Sequence, residues 1–234
     1  MVGAILLNCA VSDKSYSRVV DYITNGIIYG VFKTGDKLPP ERLLAEKLKV
    51  GRYSVREAMR ILEGIGIIKC RVGDGNYISS DFKSGFSRLV TVFIKLDKNK
   101  AAGLSGLRRG LEFEIIFSLI NTLNENDFKR LREIINCMKV CDNDKIPFYD
   151  GLFHKTLASL SGNPLLNDIF AVINDMVDNF LGSVWDGISQ SGKEVLIKAH
   201  EEILSGIEQG DMSVSLNAII KHYIIAERMM NNKE

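Results

Sequence analysis

LPPERLLAEKLKVGRYSVREAMRILEGIGIIKCRVGDGNYI, residues 38–78, decides the fold of the N-terminal part of this chain. Pro40 is preset for a first helical turn, and Leu43, Leu44, Ala45 and Leu48 supply an apolar stripe that ends before Val50-Gly51. A second helix is expected over Tyr53–Glu63, with Val55, Ala58, Met59 and Leu62 inward and Arg52, Arg56 and Arg60 outward. Two β-prone runs, Ile67–Val72 and Asn76–Ile78, then flank Gly73-Asp74-Gly75, a hairpin signal. Upstream, Val19, Val20, Ile23, Ile27 and Ile28 recur at helical spacing, with Gly30 near the helix end. A helix, a helix-turn-helix around Gly51 and a β-hairpin, in that order, make a winged helix.

At 234 residues the chain is long enough for two domains. Its composition, 46% hydrophobic and 25% charged, is that of a globular protein, and no apolar run approaches the roughly 20 residues needed to span a bilayer. The apolar start, Met1–Val11, lacks a basic leader region, and Asn8 before Cys9 suits a cleavage site poorly, so we read an N-terminal arm. Four cysteines make no disulfide framework, which fits a reducing cytoplasm. Cys137 and Cys141 share a helical face and read as small apolar residues of a packed helix. Residues 1–80 carry 12 Lys and Arg against 8 Asp and Glu, whereas the remainder carries 18 against 21. A basic head on a mildly acidic body suits a nucleic-acid partner at one end only.

Beyond residue 80, every periodic segment is helical. Residues 81–99 form a linker region with an amphipathic run of Phe86, Leu89, Val90, Phe93 and Ile94. From residue 100 the expectation is an all-α bundle. Its first helix spans Leu104–Leu123, with Leu107, Leu111, Ile115, Phe117, Leu119 and Ile120 as its stripe. The next are expected over Asp127–Cys141 and Phe148–Leu160. Asn163 caps and Pro164 starts a fourth, reaching about Val184, followed by Lys193–Glu208 and a last helix to about Met230. The fold class is therefore mainly α: a winged helix-turn-helix (1–80, with 1–14 as the arm), a linker (81–99) and a helical bundle (100–234). Trp185 is read as core packing, with a place bordering a cavity as the alternative.

The spacing Asp150-Gly-Leu-Phe-His154 puts a carboxylate and an imidazole on one helical face. His200 and His222 lie on the fifth and sixth helices of the bundle, where antiparallel packing can bring all four inward. Three imidazoles and a carboxylate suit a divalent transition metal, although spacing alone leaves each histidine open to an ordinary buried role.

Three blocks in order, LPPERLLAEKL, GRYSVREAMRILEGIGII and RVGDGNYI, resemble the DNA-binding domain of GntR-family bacterial transcription regulators. That resemblance implies that Arg42, Arg52 and Arg56 reach operator bases or phosphates. It also places Ser54 at the start of the recognition helix, and lets Gly73 bring the wing backbone into the minor groove. Arginine forks suit guanine edges and phosphates alike. The chain departs from the family at Tyr53, where a small hydroxyl residue is usual, and at Asp74, whose charge is expected to repel phosphates.

Three further blocks, DGLFHKTLASLSGNPLL, KAHEEILSGIEQGD and AIIKHYIIAERM, resemble the FCD domain of the FadR-like branch of that family. The resemblance implies a divalent metal held by Asp150, His154, His200 and His222. Zinc comes first, with nickel, manganese or iron as alternatives. In LRRGLEF, it implies that Arg108 clamps an acidic effector, with Arg109 as a substitute if the helix phase differs; alternatively Arg108 pairs with Glu112. The expectation is a homodimeric, cytoplasmic, non-enzymatic regulator of double-stranded operator DNA, controlled by a small organic acid at the metal site. A metal-responsive regulator, a structural metal beside an acyl ligand, and a metal-dependent hydrolase remain open at this point.

Overall fold

The computed structural model describes residues 15–79, 81–96, 98–181 and 189–231. Trp185 and the N-terminal arm with Cys9 lie outside the described residues. Contacts divide the chain into two compact units, one running up to Arg88 and the other from Leu89.

In the first unit, α1 (Ser15–Ile28), α2 (Glu41–Leu48) and α3 (Arg52–Gly64) are followed by strands β1 (Ile68–Arg71) and β2 (Gly75–Ile78). The strands pair antiparallel, from Ile68 opposite Ile78 to Arg71 opposite Gly75, and Lys37 bridges to Tyr77. The core is the inward stripe of each helix: Val19 and Ile23 of α1, Leu44 of α2, and Val55, Ala58 and Leu62 of α3, closed by Ile68 and Ile78. Burying each such aliphatic chain contributes about 1.5–3 kcal/mol. Pro40 stands one residue earlier than expected, as the residue before α2, with extended backbone. Lys49, at φ 51°, ends that helix in the left-handed conformation.

The expected linker forms α4 (Phe82–Lys95). Gly85 lies so close to the Ile65 carbonyl that a β-carbon there would sit 2.4 Å from its oxygen. Ile94 is buried, but Leu89 and Phe93, expected on the same apolar stripe, stay exposed together with Val92 and Leu96.

The second unit is all-α among the described residues: α5 (Lys98–Leu119), α6 (Glu125–Val140), a 3-10 turn (Asn143–Lys145), α7 (Ile146–Leu160), α8 (Pro164–Leu181), α9 (Gln190–Gln209) and α10 (Met212–Asn231). Local chemistry sets most ends. The Asn124 side chain accepts from the backbone N–H groups of Asn126 and Asp127, while Asp127 accepts from that of Asn124, a complete capping box. Asn163 accepts from Leu166 N–H, as expected of a cap, and Ser189 accepts from Gly192 N–H. Gly210, at φ 70°, closes α9.

Leu131, Met138, Phe153, Leu157, Phe170, Leu196, Ile203 and Ile219 are among the residues filling the bundle core. Helix α5 departs from its expected stripe: Leu107 and Phe117 are exposed, and Leu104, Ser105, Arg108, Glu112, Ile115, Ile116 and Leu119 are buried. The inward face of α5 is half polar, so counting apolar residues rotated the helix away from its true phase. The helix also stops at Leu119, four residues before the expected end, where Asn121 turns the chain at φ 61°.

Candidate functional site

Helix α7 carries Asp150 and His154 one turn apart, α9 carries His200 and α10 carries His222, all at most 1% exposed. One ligand atom from each lies within 4.8 Å of the others. The His222 Nε2 is 2.7 Å from Asp150 Oδ1, His200 Nε2 is 3.2 Å and His154 Nε2 is 3.8 Å from the same oxygen. The Nε2 atoms of His154 and His222 are 3.5 Å apart.

Partners outside the quartet orient the rings. The His200 Nδ1 lies 2.9 Å from the Leu196 carbonyl, one turn back on α9, where it donates and leaves Nε2 as the free lone pair facing Asp150. Phe153 packs edge-on against the His200 ring at 4.8 Å between centroids. The His154 Nδ1 lies 3.1 Å from Glu112 Oε1. That same oxygen accepts from Arg108 Nε and from the Tyr223 hydroxyl, both at 3.0 Å.

Burial disfavours charge on the imidazoles: it pushes His154 down to about 4, against the pull of Glu112, and lowers His200. Burial would raise Asp150, but His222 and His154 outweigh it and hold the carboxyl well below its ordinary value. Burial likewise opposes ionisation of Glu112, yet His154 and Arg108 hold it at about 2. Carboxylates held anionic beside the His154 and His200 rings, on which burial disfavours charge, form a donor set suited to a cation.

The expected effector clamp, Arg108, is buried and already answered from two sides: by Glu112, and by Asp150 Oδ2 at 3.4 Å from Nη2. Sequence reasoning missed the hydroxyl of Tyr223, although it adjoins His222 in the chain. It also missed Asn174 and Asp178 on α8, which face Gly151. A β-carbon at Gly151 would lie 2.9 Å from Asp178 Oδ2 and 3.2 Å from Asn174 Nδ2. Asn174 donates to Asp178 at 2.8 Å, and burial pushes the Asp178 carboxyl up to about 6. No periodic signal marks those two polar positions on a strongly apolar helix.

In the other unit, the exposed face of α3 presents Arg52, Arg56 and Arg60, with Ser54 half-buried in the first turn. Tyr53 is 79% exposed beside them. Arg56 Nε donates to Glu41 at 2.9 Å, and Arg42 donates to Glu46 at 3.0 Å. Exposed pairs of this kind contribute little, about 1 kcal/mol or less, and exchange readily for phosphates. Gly73 turns the wing at φ +78°, a conformation that suits glycine. Asp74, expected to repel phosphates, has partners of its own. It accepts from Lys37, on the segment before α2, at 2.6 Å and from the Tyr77 hydroxyl at 2.7 Å, an exposed pairing of opposite charges.

Two family models match the chain: "Bacterial regulatory proteins, gntR family" over residues 15–78 and "FCD domain" over residues 104–224. The HTH-type transcriptional regulator LutR of Bacillus subtilis (strain 168) is 24% identical over 207 residues, covering 86% of this chain and 94% of its own. The HTH-type transcriptional repressor NanR of Citrobacter rodentium (strain ICC168) is 26% identical over 231 residues, covering 95% and 88%. Among solved structures, Streptococcus agalactiae GntR superposes with a TM-score of 0.66 at 28% identity, over 91% of this chain and 99% of that one. With the winged helix, the helical bundle and both family models in agreement, the chain belongs to the GntR family of bacterial transcription regulators, as a non-enzymatic member with an FCD effector-binding domain.

Proposed function

We propose that this regulator holds a divalent metal on Asp150, His154, His200 and His222, and that a small organic acid completing that site controls its affinity for operator DNA. The observation that carries this reading is the closed quartet itself. Three imidazole nitrogens and one carboxylate oxygen converge out of water, and His200 Nε2, which faces Asp150, lacks a hydrogen-bond partner among the described residues. A buried polar atom left unmatched costs about 1–3 kcal/mol, so a ligand for it is favoured. Tetrahedral coordination at about 2.0–2.1 Å places ligand atoms about 3.3 Å apart. Four of the six separations, 2.7, 3.2, 3.5 and 3.8 Å, bracket that value, and all six lie within 4.8 Å. Zinc, with its preference for imidazole and carboxylate, is the first candidate. When bound, the metal would supply a Lewis-acidic centre that takes an effector carboxylate by expanding beyond its four protein ligands, and the Arg108 guanidinium would lie beside it.

In the same reading, Arg42, Arg52, Ser54 and Arg56 contact the operator from α2 and α3, and Gly73 takes the wing backbone to the minor groove. A homodimer binding two half-sites in the bacterial cytoplasm completes it. No helix among the described residues is long and apolar enough to cross a membrane. The test is metal analysis of the purified protein and of His200→Ala, paired with operator titrations. The expected result is about one metal per chain, lost in the variant. Release of the operator by saturating metal alone, without any acid, would replace the acid sensor with a metal sensor.

A further inference from the structure

A cation cannot be added to the buried cluster without changing which acid it tolerates. Among the described residues, the charges enclosed around the quartet are Arg108, Glu112 and Asp150, at 3%, 2% and 1% exposure. Arg108 donates to both carboxylates, so the enclosed set carries one positive and two negative charges. Two half-buried groups border it, Asp178 on α8 and Arg109 on α5, whose guanidinium lies 5.8 Å from the Tyr223 ring. Both keep contact with water, which screens them more than the enclosed charges.

We infer that the site selects monocarboxylates over dicarboxylates, and that Glu112 is the residue that sets this preference. The inference rests on the metal-site reading above. A divalent ion among neutral imidazoles turns the enclosed charge from minus one to plus one, which a single carboxylate neutralises. A second carboxylate would leave an uncompensated anion in a closed, poorly solvated site, and an unpaired buried charge is among the costliest features a protein can hold. Glu112 also bears on the uncharged part of the acid. Its Oε1 is fully used by Arg108 and Tyr223, whereas its Oε2 is buried with no hydrogen-bond partner among the described residues. An acceptor in that state favours a ligand that brings a hydroxyl.

Butyrate, 2-hydroxybutyrate and succinate share a four-carbon length and separate these effects. The experiment is calorimetric titration of each into zinc-loaded, full-length protein, with metal content measured before and after. The expected order is 2-hydroxybutyrate, then butyrate, then succinate, with succinate at least about tenfold weaker than butyrate, a gap of about 1.4 kcal/mol. In Glu112→Gln, which removes one enclosed negative charge and keeps the shape, the succinate-to-butyrate ratio should move by at least about tenfold towards succinate. Succinate binding as tightly as butyrate in the wild type overturns the inference, whether or not the variant folds. A folded, zinc-loaded Glu112→Gln with an unchanged ratio removes Glu112 from the role. Failure of the wild type to take up zinc overturns the metal-site reading itself and this inference with it; normal zinc uptake without discrimination overturns the inference alone.

Discussion

Glu112 Oε1 receives two hydrogen bonds and lies against the back of His154, so one carboxylate oxygen joins α5, α7 and α10. This arrangement makes the metal-free bundle sensitive to acid, and the sign follows from proton uptake. In the unfolded chain His154 titrates near 6.5, whereas burial holds it at about 4 in the fold. Between those values the unfolded chain takes up a proton that the folded one refuses, so stability falls as pH is lowered through that window. The loss from this residue is on the order of 3 kcal/mol at about 1.4 kcal/mol per unit. Glu112 acts in the same direction lower down, its contribution being present above about 4.5 and lost as pH falls towards about 2. Asp178, whose carboxyl is raised to about 6 in the fold, acts in the opposite direction over an overlapping window, so the test is metal-stripped Asp178→Asn, whose urea midpoints should decline from pH 7 to pH 4. A flat series would mean that the His154 ring accepts a proton inside the bundle.

Helices α9 and α10 form a hairpin whose approach depends on a missing side chain. A β-carbon at Gly206 would stand 2.3 Å from Ser215 Oγ and 2.6 Å from Ser215 N, while Ser215 Oγ donates to the Ile203 carbonyl at 3.0 Å. Backbone cannot rotate away as a side chain can, so Gly206→Ala must part the two helices. It should cost about 1–3 kcal/mol, the usual range for overpacking. Because His200 and His222 sit on these two helices, metal affinity should weaken with it. Thermal melts with and without zinc check both effects; an unchanged melt would show that the hairpin yields freely. Helix α5 teaches a related lesson about legibility. Its Leu and Phe residues are split between the core and solvent, and its inward face includes Ser105, Arg108 and Glu112. Hydrophobic periodicity therefore misplaced Leu107 and Phe117, whereas α3, with a single apolar stripe, was readable residue by residue.

Across the whole molecule, the two units should fail independently. Arg56→Ala removes an exposed guanidinium from the proposed recognition face, so operator binding should fall by one to two orders of magnitude with metal content unchanged, at about 1–3 kcal/mol per specific contact. His200→Ala should do the reverse, emptying the metal site and abolishing the acid response while leaving basal operator binding in place. Gel-shift titrations and metal analysis on both variants test this, and loss of both properties in either folded variant would sink the division of labour. Sedimentation of the free protein, with a footprint on the operator, tests the proposed dimer: a monomer without two-fold protection is the outcome that excludes it.

What the sequence by itself determined is local. The cap at Asn163, the turn at Gly73, the i,i+4 pair of Asp150 and His154, and the stripes of α1 and α3 all depend on neighbours within a few residues. The matched motifs carried the family from the same short stretches. Tertiary structure decided the rest. It alone joins Tyr223 to Glu112 across 111 positions, brings Arg108 to Asp150, seats Asn174 and Asp178 behind Gly151, and pairs Asp74 with Lys37. The physical reason is that propensity and periodicity act over one or two turns, whereas buried polar groups find their partners only when packing fixes which faces meet.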